Sequence, residues 1–300
     1  MSERISHHGV VVGTDGSASA QAAVRWAARE AVMRHVPLTV MHVASSLSVA
    51  ASTLEWPVGR VPEDVLEIQE NEARRVIADA VKAAKDSSVG GDRLEINSEL
   101  FFGVTVPTFV DLSKDAQMVV VGCRGRTGKH RRLLGAVSTG LIHHAHCPVA
   151  VVHDEVPLSA QSAQLPVVVG IDGSRASELA TAIAFDEASW RAVDLVAVHV
   201  WSDADMSTVP GMHPSALQTA AEKTLAESLA GWQERYPEVA VQHLVEFEHP
   251  ARHLVDQSEH AQLVVVGSHG RGGFAGMLLG SVSTAVAQEA RIPVIVARHR

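Results

Sequence analysis

Several short segments of this chain carry residues suited to holding an anion. Gly13-Thr14-Asp15-Gly16-Ser17 closes the apolar run Val10–Val12, and Gly170-Ile171-Asp172-Gly173-Ser174 closes Val167–Val169. Gly122-Cys123-Arg124-Gly125-Arg126 follows Val119–Val121, and Gly267-Ser268-His269-Gly270-Arg271 follows Val264–Val266. Ten residues past the second glycine of each of these two segments stands a third. Gly135 precedes Ala136-Val137-Ser138-Thr139, and Gly280 precedes Ser281-Val282-Ser283-Thr284. Glycines let backbone approach an anion closely, and successive N–H groups form a nest. A helix starting at the third glycine adds unpaired donors and a positive dipole end, with Ser and Thr hydroxyls as further donors. One glycine pair is equally well a tight strand-to-helix turn; the same three-glycine spacing twice in one chain favours a phosphate site. The first loop is the more basic, with Arg124, Arg126, Lys129, Arg131 and Arg132 against Arg271 alone in the second.

Other chemistry fits less well. A Walker A loop fails, because Gly128-Lys129 is followed by His130 and Cys123 stands where its first glycine belongs. Gly270-x-Gly272-x-x-Ala275 fits a loose dinucleotide fingerprint but follows the fourth strand rather than the first, so no nicotinamide cofactor is expected. His143, His144, His146 and Cys147 look like a zinc cluster. They end a helix, where His suits the negative dipole end, and the matching Gln288–Ile292 keeps no ligand set, so no metal is expected. His42 and His199 read as satisfied structural histidines near strand ends. Cys123 in the loop is either a redox-sensitive thiol or a small filler, as Ser268 in the matching place suggests. No nucleophile–base pair emerges, so no catalytic residue is assigned. Asp15 and Asp172 are still able to hold a metal or orient a water, which leaves slow hydrolysis open.

The elements that must position these residues occur twice. At an offset of 157 residues, Val10–Ser17 repeats as Val167–Ser174, Glu30-Ala31 as Glu187-Ala188 and His42-Val43 as His199-Val200. At an offset of 145, Val119–Arg126 repeats as Val264–Arg271, Leu133–Gly135 as Leu278–Gly280 and Pro148-Val149 as Pro293-Val294. The first copy is thus twelve residues longer, with the excess expected after Val43 around Trp56-Pro57 and Gly59. A period this long is a domain duplication, not a solenoid. Domains are expected over 1–153 and 166–300, joined by a polar linker over 154–165.

Within the first copy, strands are expected over Val10–Val12, Leu38–Val43, Leu94–Leu100, Met118–Val121 and Val149–Val152. Helical spacing covers Ser17–His35, Pro62–Asp86, Val106–Lys114 and Ala136–Ala145. Alternating strands and helices with continuous apolar strands predict two tandem, doubly wound, Rossmann-like α/β domains, each on a parallel five-stranded sheet. Across 300 residues, 46% apolar and 20% charged composition supplies a real core and excludes a disordered chain. The net charge of −9 argues against nucleic-acid binding by phosphate neutralisation. Two cysteines, no apolar run near the ~18 residues of a membrane span and no signal-peptide pattern point to a cytoplasmic protein.

A strand-ending Asp followed by Gly-Ser, with G-x2-G-x9-G-[ST] before the last helix, resembles the nucleotide-binding class of universal stress proteins. The duplicated layout is similar to the tandem members of mycobacteria and other actinobacteria. The resemblance spans nearly the whole chain and implies an adenine-nucleotide alpha-hydrolase-like fold. It implies ATP in each half, possible Mg2+ with it, and AMP, ADP or cyclic AMP as alternatives. Asp15 and Asp172 would lie beside ribose and phosphates, and Val43 and Val200 would offer backbone groups to adenine. The loop glycines would wrap the phosphates, and Ser138, Ser281 and Ser283 would donate to them. Ala136 departs from the motif's Ser or Thr, a lost donor worth ~1–3 kcal/mol if nothing compensates. The resemblance further implies a regulator of stress response and growth rather than an enzyme. It also implies pairing of the halves through their last strands, a homodimer and a regulatory protein partner. The alternatives are a slow ATPase or nucleotidyl-handling enzyme using the same pockets, and an interaction module with empty pockets.

Overall fold

The computed structural model describes residues 9–44, 63–88, 94–125, 133–153, 162–201, 214–270 and 279–298. The expected insertion around Trp56, most of the expected linker, and Arg126, Lys129, Arg131, Arg132 and Arg271 lie outside the described residues. The chain divides into two compact units, Met1–Cys147 with Val152–Asp154, and Pro148–Val151 with Glu155–Arg300.

In the first unit, β1 (Val10–Gly13), α1 (Ala18–Met33), β2 (Leu38–Ala44), α2 (Glu63–Ser87), β3 (Ile96–Phe102), α3 (Thr105–Leu112), β4 (Met118–Gly122) and α4 (Ala136–His144) follow in order. The strands lie parallel in the order β3-β2-β1-β4. This is doubly wound topology, with the order reversing between β1 and β4. β1, β2 and β4 are buried throughout, which is why β1 and β4 are unbroken apolar runs and β2 departs from one only at Thr39 and His42. β3 is different. It pairs with β2 alone, from Ile96 opposite Leu38 to Phe102 opposite Ala44, and carries polar Asn97, Ser98 and Glu99. The apolar signal is weakest there, and the strand runs two residues later than Leu94–Leu100.

Helix α1 starts at Ser17, whose side chain accepts the Ala20 N–H at 3.3 Å. Such an N-cap satisfies one of the orphan donors of the first turn. Its buried face is built from small residues, Ala20, Ala23, Ala27, Ala28 and Ala31, so the helix lies close on β1 and β4. Gly122 completes the fit: a Cβ there would sit 2.6 Å from the Ser19 carbonyl carbon. Glu30 is fully buried on α1 and paired with Arg34 at 3.4 Å. Helix α2 is long but buries only Ala73, Ala80 and Ala84, a narrow stripe against α1.

The strand β5 (Val149–Val152) is divided between the units. Val152 accepts the Cys123 N–H at 2.7 Å in the first unit. Val149–Val151 belong to the second, where they pair antiparallel with β10 (Val294–Ala297). A 3-10 turn at Ser162–Gln164 then leads into β6 (Val167–Gly170), α5 (Arg175–Arg191), β7 (Leu195–Trp201), α6 (Pro214–Leu229), α7 (Trp232–Arg235), β8 (Val241–Phe247), α8 (Pro250–Ser258), β9 (Leu263–Gly267), α9 (Ser281–Glu289) and β10. Here the parallel order is β10-β9-β6-β7-β8. The Glu30–Arg34 pair recurs as fully buried Glu187 with Arg191, one turn apart on α5. A cluster specific to this unit stacks Phe185 on Trp232 at 5.5 Å, with Tyr236 donating to Asp186 at 2.6 Å. No described helix is long and apolar enough to cross a membrane.

Candidate functional site

The reversal of strand order brings the carboxyl ends of β1 and β4 side by side, and with them the two loops singled out from sequence. Chain leaves β1 at Thr14 and turns through Gly16, whose φ of +81° favours glycine; Gly173 does the same at +76°. The turn is held by its aspartate: Ser17 N–H donates to Asp15 Oδ1 at 3.0 Å, and Ser174 N–H to Asp172 Oδ1 at 2.9 Å. The other carboxylate oxygen rests against the second loop. A Cβ on Gly125 would lie 2.8 Å from Asp15 Oδ2, and one on Gly270 only 2.5 Å from Asp172 Oδ2. Glycine at these two positions is therefore what lets the loop close over the carboxylate.

The second loop is tied to both its neighbours. Gly135 N–H donates to Cys123 O, and Gly280 N–H to Ser268 O, each at 2.7 Å. These bonds hold the start of α4 and of α9 under the loop. Neither helix has a side-chain cap at its glycine N-cap. The hydroxyls of Ser17 and Ser19 both reach Arg124 O, and Ser174 Oγ donates to His269 O at 3.3 Å. Ser19 has Ala176 as its counterpart, so repeat matching alone passes over it.

In the first unit these elements enclose a cavity of about 590 Å³. Gly13, Thr14, Asp15, Val43, Gly122, Arg124, Gly125, Gly135, Ala136, Val137 and Ser138 all line it. A cavity of this size lies within the ~300–1,000 Å³ range of small-molecule sites. Its floor includes Phe109 of α3, and α2 contributes Gln69, Glu72, Ala73 and Val76. Sequence patterns do not single these residues out; a lone aromatic in α3 and polar residues one turn apart on α2 are ordinary core and surface features. Gly13 is needed against that floor, since a Cβ there would meet the Phe109 ring at 2.8 Å. In the second unit Leu254 takes the place of Phe109 and packs on Gly170.

Some expected roles change. Ser138 and Ser283 are buried, and their hydroxyls donate to Gly122 O and Gly267 O. Those hydrogens stitch the helix start to the strand end, so what these serines present is backbone. Thr284 Oγ1 likewise donates to Gly280 O at 2.9 Å, whereas Ser281 is exposed at the first turn and Thr139 lies on α4 one turn from Gly135. Cys123 is 2% exposed. A reactive thiol needs partial exposure, so the structure favours the filler reading. Ser268 is buried in the same place. Val200 and its neighbour Trp201 end β7, and Trp201 lies against Phe247 at 4.3 Å where the first unit has Ala44 and Phe102. His42 and His199 are both buried and bonded to backbone. His143 donates from Nδ1 to Thr139 O at 2.9 Å. Among the described residues, no three His, Cys, Asp or Glu side chains form a group able to hold a metal ion.

Comparison with known proteins gives a consistent picture. The family model described as "Universal stress protein family" matches residues 7–153 and again 165–298. A universal stress protein of Mycobacterium tuberculosis is 55% identical over 299 residues, covering 100% of this chain and 99% of that protein. One of Mycolicibacterium smegmatis is 49% identical over 302 residues, with 100% of both covered. Among solved structures, a universal stress protein from Archaeoglobus fulgidus superposes with a TM-score of 0.68 over 97% of this chain and 96% of its own, at 19% identity.

Proposed function

Because this chain belongs to the universal stress protein family, shown by two tandem family matches and full-length relatives, we propose that each half binds one adenine nucleotide. The halves are taken as 1–153 and 166–300, and the ligand as ATP, accompanied by Mg2+. The observation that carries this reading is the closed carboxylate–glycine contact between the ends of the first and fourth strands, present in both units. Asp15 over Gly125 and Asp172 over Gly270 leave no room for a side chain, and the first of these contacts lines a cavity of nucleotide size.

The site divides by chemistry. The Gly122–Gly125 loop and the uncapped start of α4 supply N–H donors and the positive end of a helix dipole to phosphate oxygens. Arg124 adds a fixed positive charge in the first half; His269 occupies its place in the second. The end of β2 at Val43 faces the nucleoside with backbone groups, and Phe109 offers an apolar wall. Asp15 is a hydrogen-bond acceptor that suits ribose hydroxyls or a phosphate-bound cation. Among the described residues lining the cavity there is no lysine; the histidine, His42, spends its Nδ1 proton on the Thr14 carbonyl, and the second carboxylate, Glu72, comes from α2, so we read the site as one that binds nucleotide rather than turning it over. The protein then acts as a regulator whose nucleotide occupancy changes the state its partners meet, which requires different nucleotide affinity in two states.

The test is to denature freshly purified protein and identify released nucleotide by chromatography and mass spectrometry, with stoichiometry per chain. Two ATP per chain are expected. ADP or AMP formed by turnover would move the reading to a slow hydrolase. No nucleotide, and no binding on adding ATP, would overturn it.

A further inference from the structure

The last rung made by β1, and by β6 in the second unit, comes just before the aspartate. Thr14 N–H donates to Met41 O and Ile171 N–H to Val198 O, each at 2.8 Å. Beyond that rung the chain turns out of the sheet, so the carbonyls of Thr14 and Ile171 face no strand partner. In both units a histidine supplies the missing donor. His42 Nδ1 lies 2.7 Å from Thr14 O, and His199 Nδ1 lies 2.7 Å from Ile171 O. A carbonyl only accepts, so Nδ1 carries the proton and donates. The two residues are 8% and 4% exposed. Neither Nε2 has a hydrogen-bond partner among the described residues.

Burying an imidazole is costly where only filling is needed, since an apolar side chain would fill the same space with no polar group to satisfy. Both copies of the duplication keep it. The residue bearing the carbonyl differs between them, Thr in one and Ile in the other, so the contact is to backbone and independent of that side chain. The next residue is the same in both: the aspartate whose Oδ2 packs on Gly125 or Gly270. We propose that His42 and His199 are positioning residues of the nucleotide sites. Each pins the strand-end carbonyl and thereby holds the adjacent carboxylate over the loop glycine. This rests on the nucleotide reading above only for its effect on affinity.

The experiment uses the full chain with ATP as the probe and Asp172→Ala silencing the second site. His42→Leu is expected to weaken ATP binding at least tenfold. His42→Asn, whose amide nitrogen stands where Nδ1 stood, should recover most of that loss. A His42→Asn variant as weak as His42→Leu would overturn the proposal. Amide hydrogen exchange without nucleotide gives an independent reading. His42→Leu should speed exchange at Gly16 and Ser17 at least fivefold while Val10–Val12 stay protected. Unchanged exchange at Gly16 and Ser17 would also overturn it. If wild-type protein binds no ATP, the nucleotide reading falls while the exchange result still judges the clamp. If His42→Leu does not fold, His42→Asn and the same variants at His199 with Asp15→Ala in place decide it.

Discussion

The two glycines that open and close the β4 loop act through different neighbours, and alanine at each separates binding from folding. At Gly125 the added methyl meets only the Asp15 carboxylate, at 2.8 Å. A side-chain tip can swing away, so Gly125→Ala should fold with nearly wild-type stability and lose about tenfold in ATP affinity, or ~1.4 kcal/mol. Gly270→Ala should do the same in the second half. At Gly122 the methyl meets backbone of α1 at 2.6–2.7 Å. Backbone cannot yield cheaply, so Gly122→Ala should destabilise by roughly 1–3 kcal/mol, as overpacking does. Calorimetric titration with ATP and urea unfolding on the same three variants would check the contrast. If Gly125→Ala unfolds early and Gly122→Ala does not, the assignment of the two neighbours is wrong.

Helix starts and the helix-borne aromatic cluster carry the next two predictions. Ser174 both caps α5, accepting the Ser177 N–H at 3.2 Å, and holds the β9 loop through His269 O. Ser174→Ala should therefore cost about 1 kcal/mol of stability from the cap and weaken nucleotide binding in the second half. A stability loss with unchanged binding would show that the tie to His269 is incidental. The segment through α7 is anchored by Tyr236, the chain's one tyrosine. Burial, then its hydrogen bond to Asp186, pushes its pKa up to about 12 from the ordinary value of 10.0. The protonated phenol is the form the fold favours. Its contribution is thus fully present below pH 10 and is lost as pH rises through about 12. Absorbance at 295 nm should show the phenolate appearing near pH 12, and near pH 10 in denaturant. Asp186→Asn should lower the folded value only partway, since burial is the larger cause.

With one nucleotide site proposed in each half, occupancy and stability should rise together. A ligand that binds only folded protein adds RT ln(1 + [L]/Kd), about 2.7 kcal/mol at a hundredfold excess over Kd. ATP should therefore raise the melting temperature of wild type. Asp15→Ala and Asp172→Ala should each halve the bound nucleotide, and the double variant should bind none and melt at the same temperature with or without ATP. A double variant still stabilised by ATP would place the nucleotide elsewhere. The first half carries Ala136 where the second has Ser281, one hydroxyl donor fewer, so Asp172→Ala protein is expected to hold ATP more weakly than Asp15→Ala protein. The net charge of −9 gives ATP no long-range attraction, which leaves affinity to the local donors and makes it less salt-dependent than binding to a basic surface.

The duplication, the alternation of strand and helix, and the glycine–aspartate loops were readable along the chain, because buried parallel strands must be continuous apolar runs and tight loops must be glycine. The family followed from the same residues. β3 lies two residues beyond its expected place because a strand paired on one side tolerates polar residues and loses its pattern. The roles of Ser138, Ser283 and Cys123 were not readable in that way. A hydroxyl's hydrogen goes to whichever acceptor is nearest, and here Gly122 O and Gly267 O are close enough to take it. Burial of a loop cysteine depends on which way the loop turns. Phe109, Gln69 and Glu72 reach the cavity from helices far from it in sequence. Local patterns encode elements and turns; which side chains meet in one cavity depends on how separate elements pack, and only three-dimensional contact decides that.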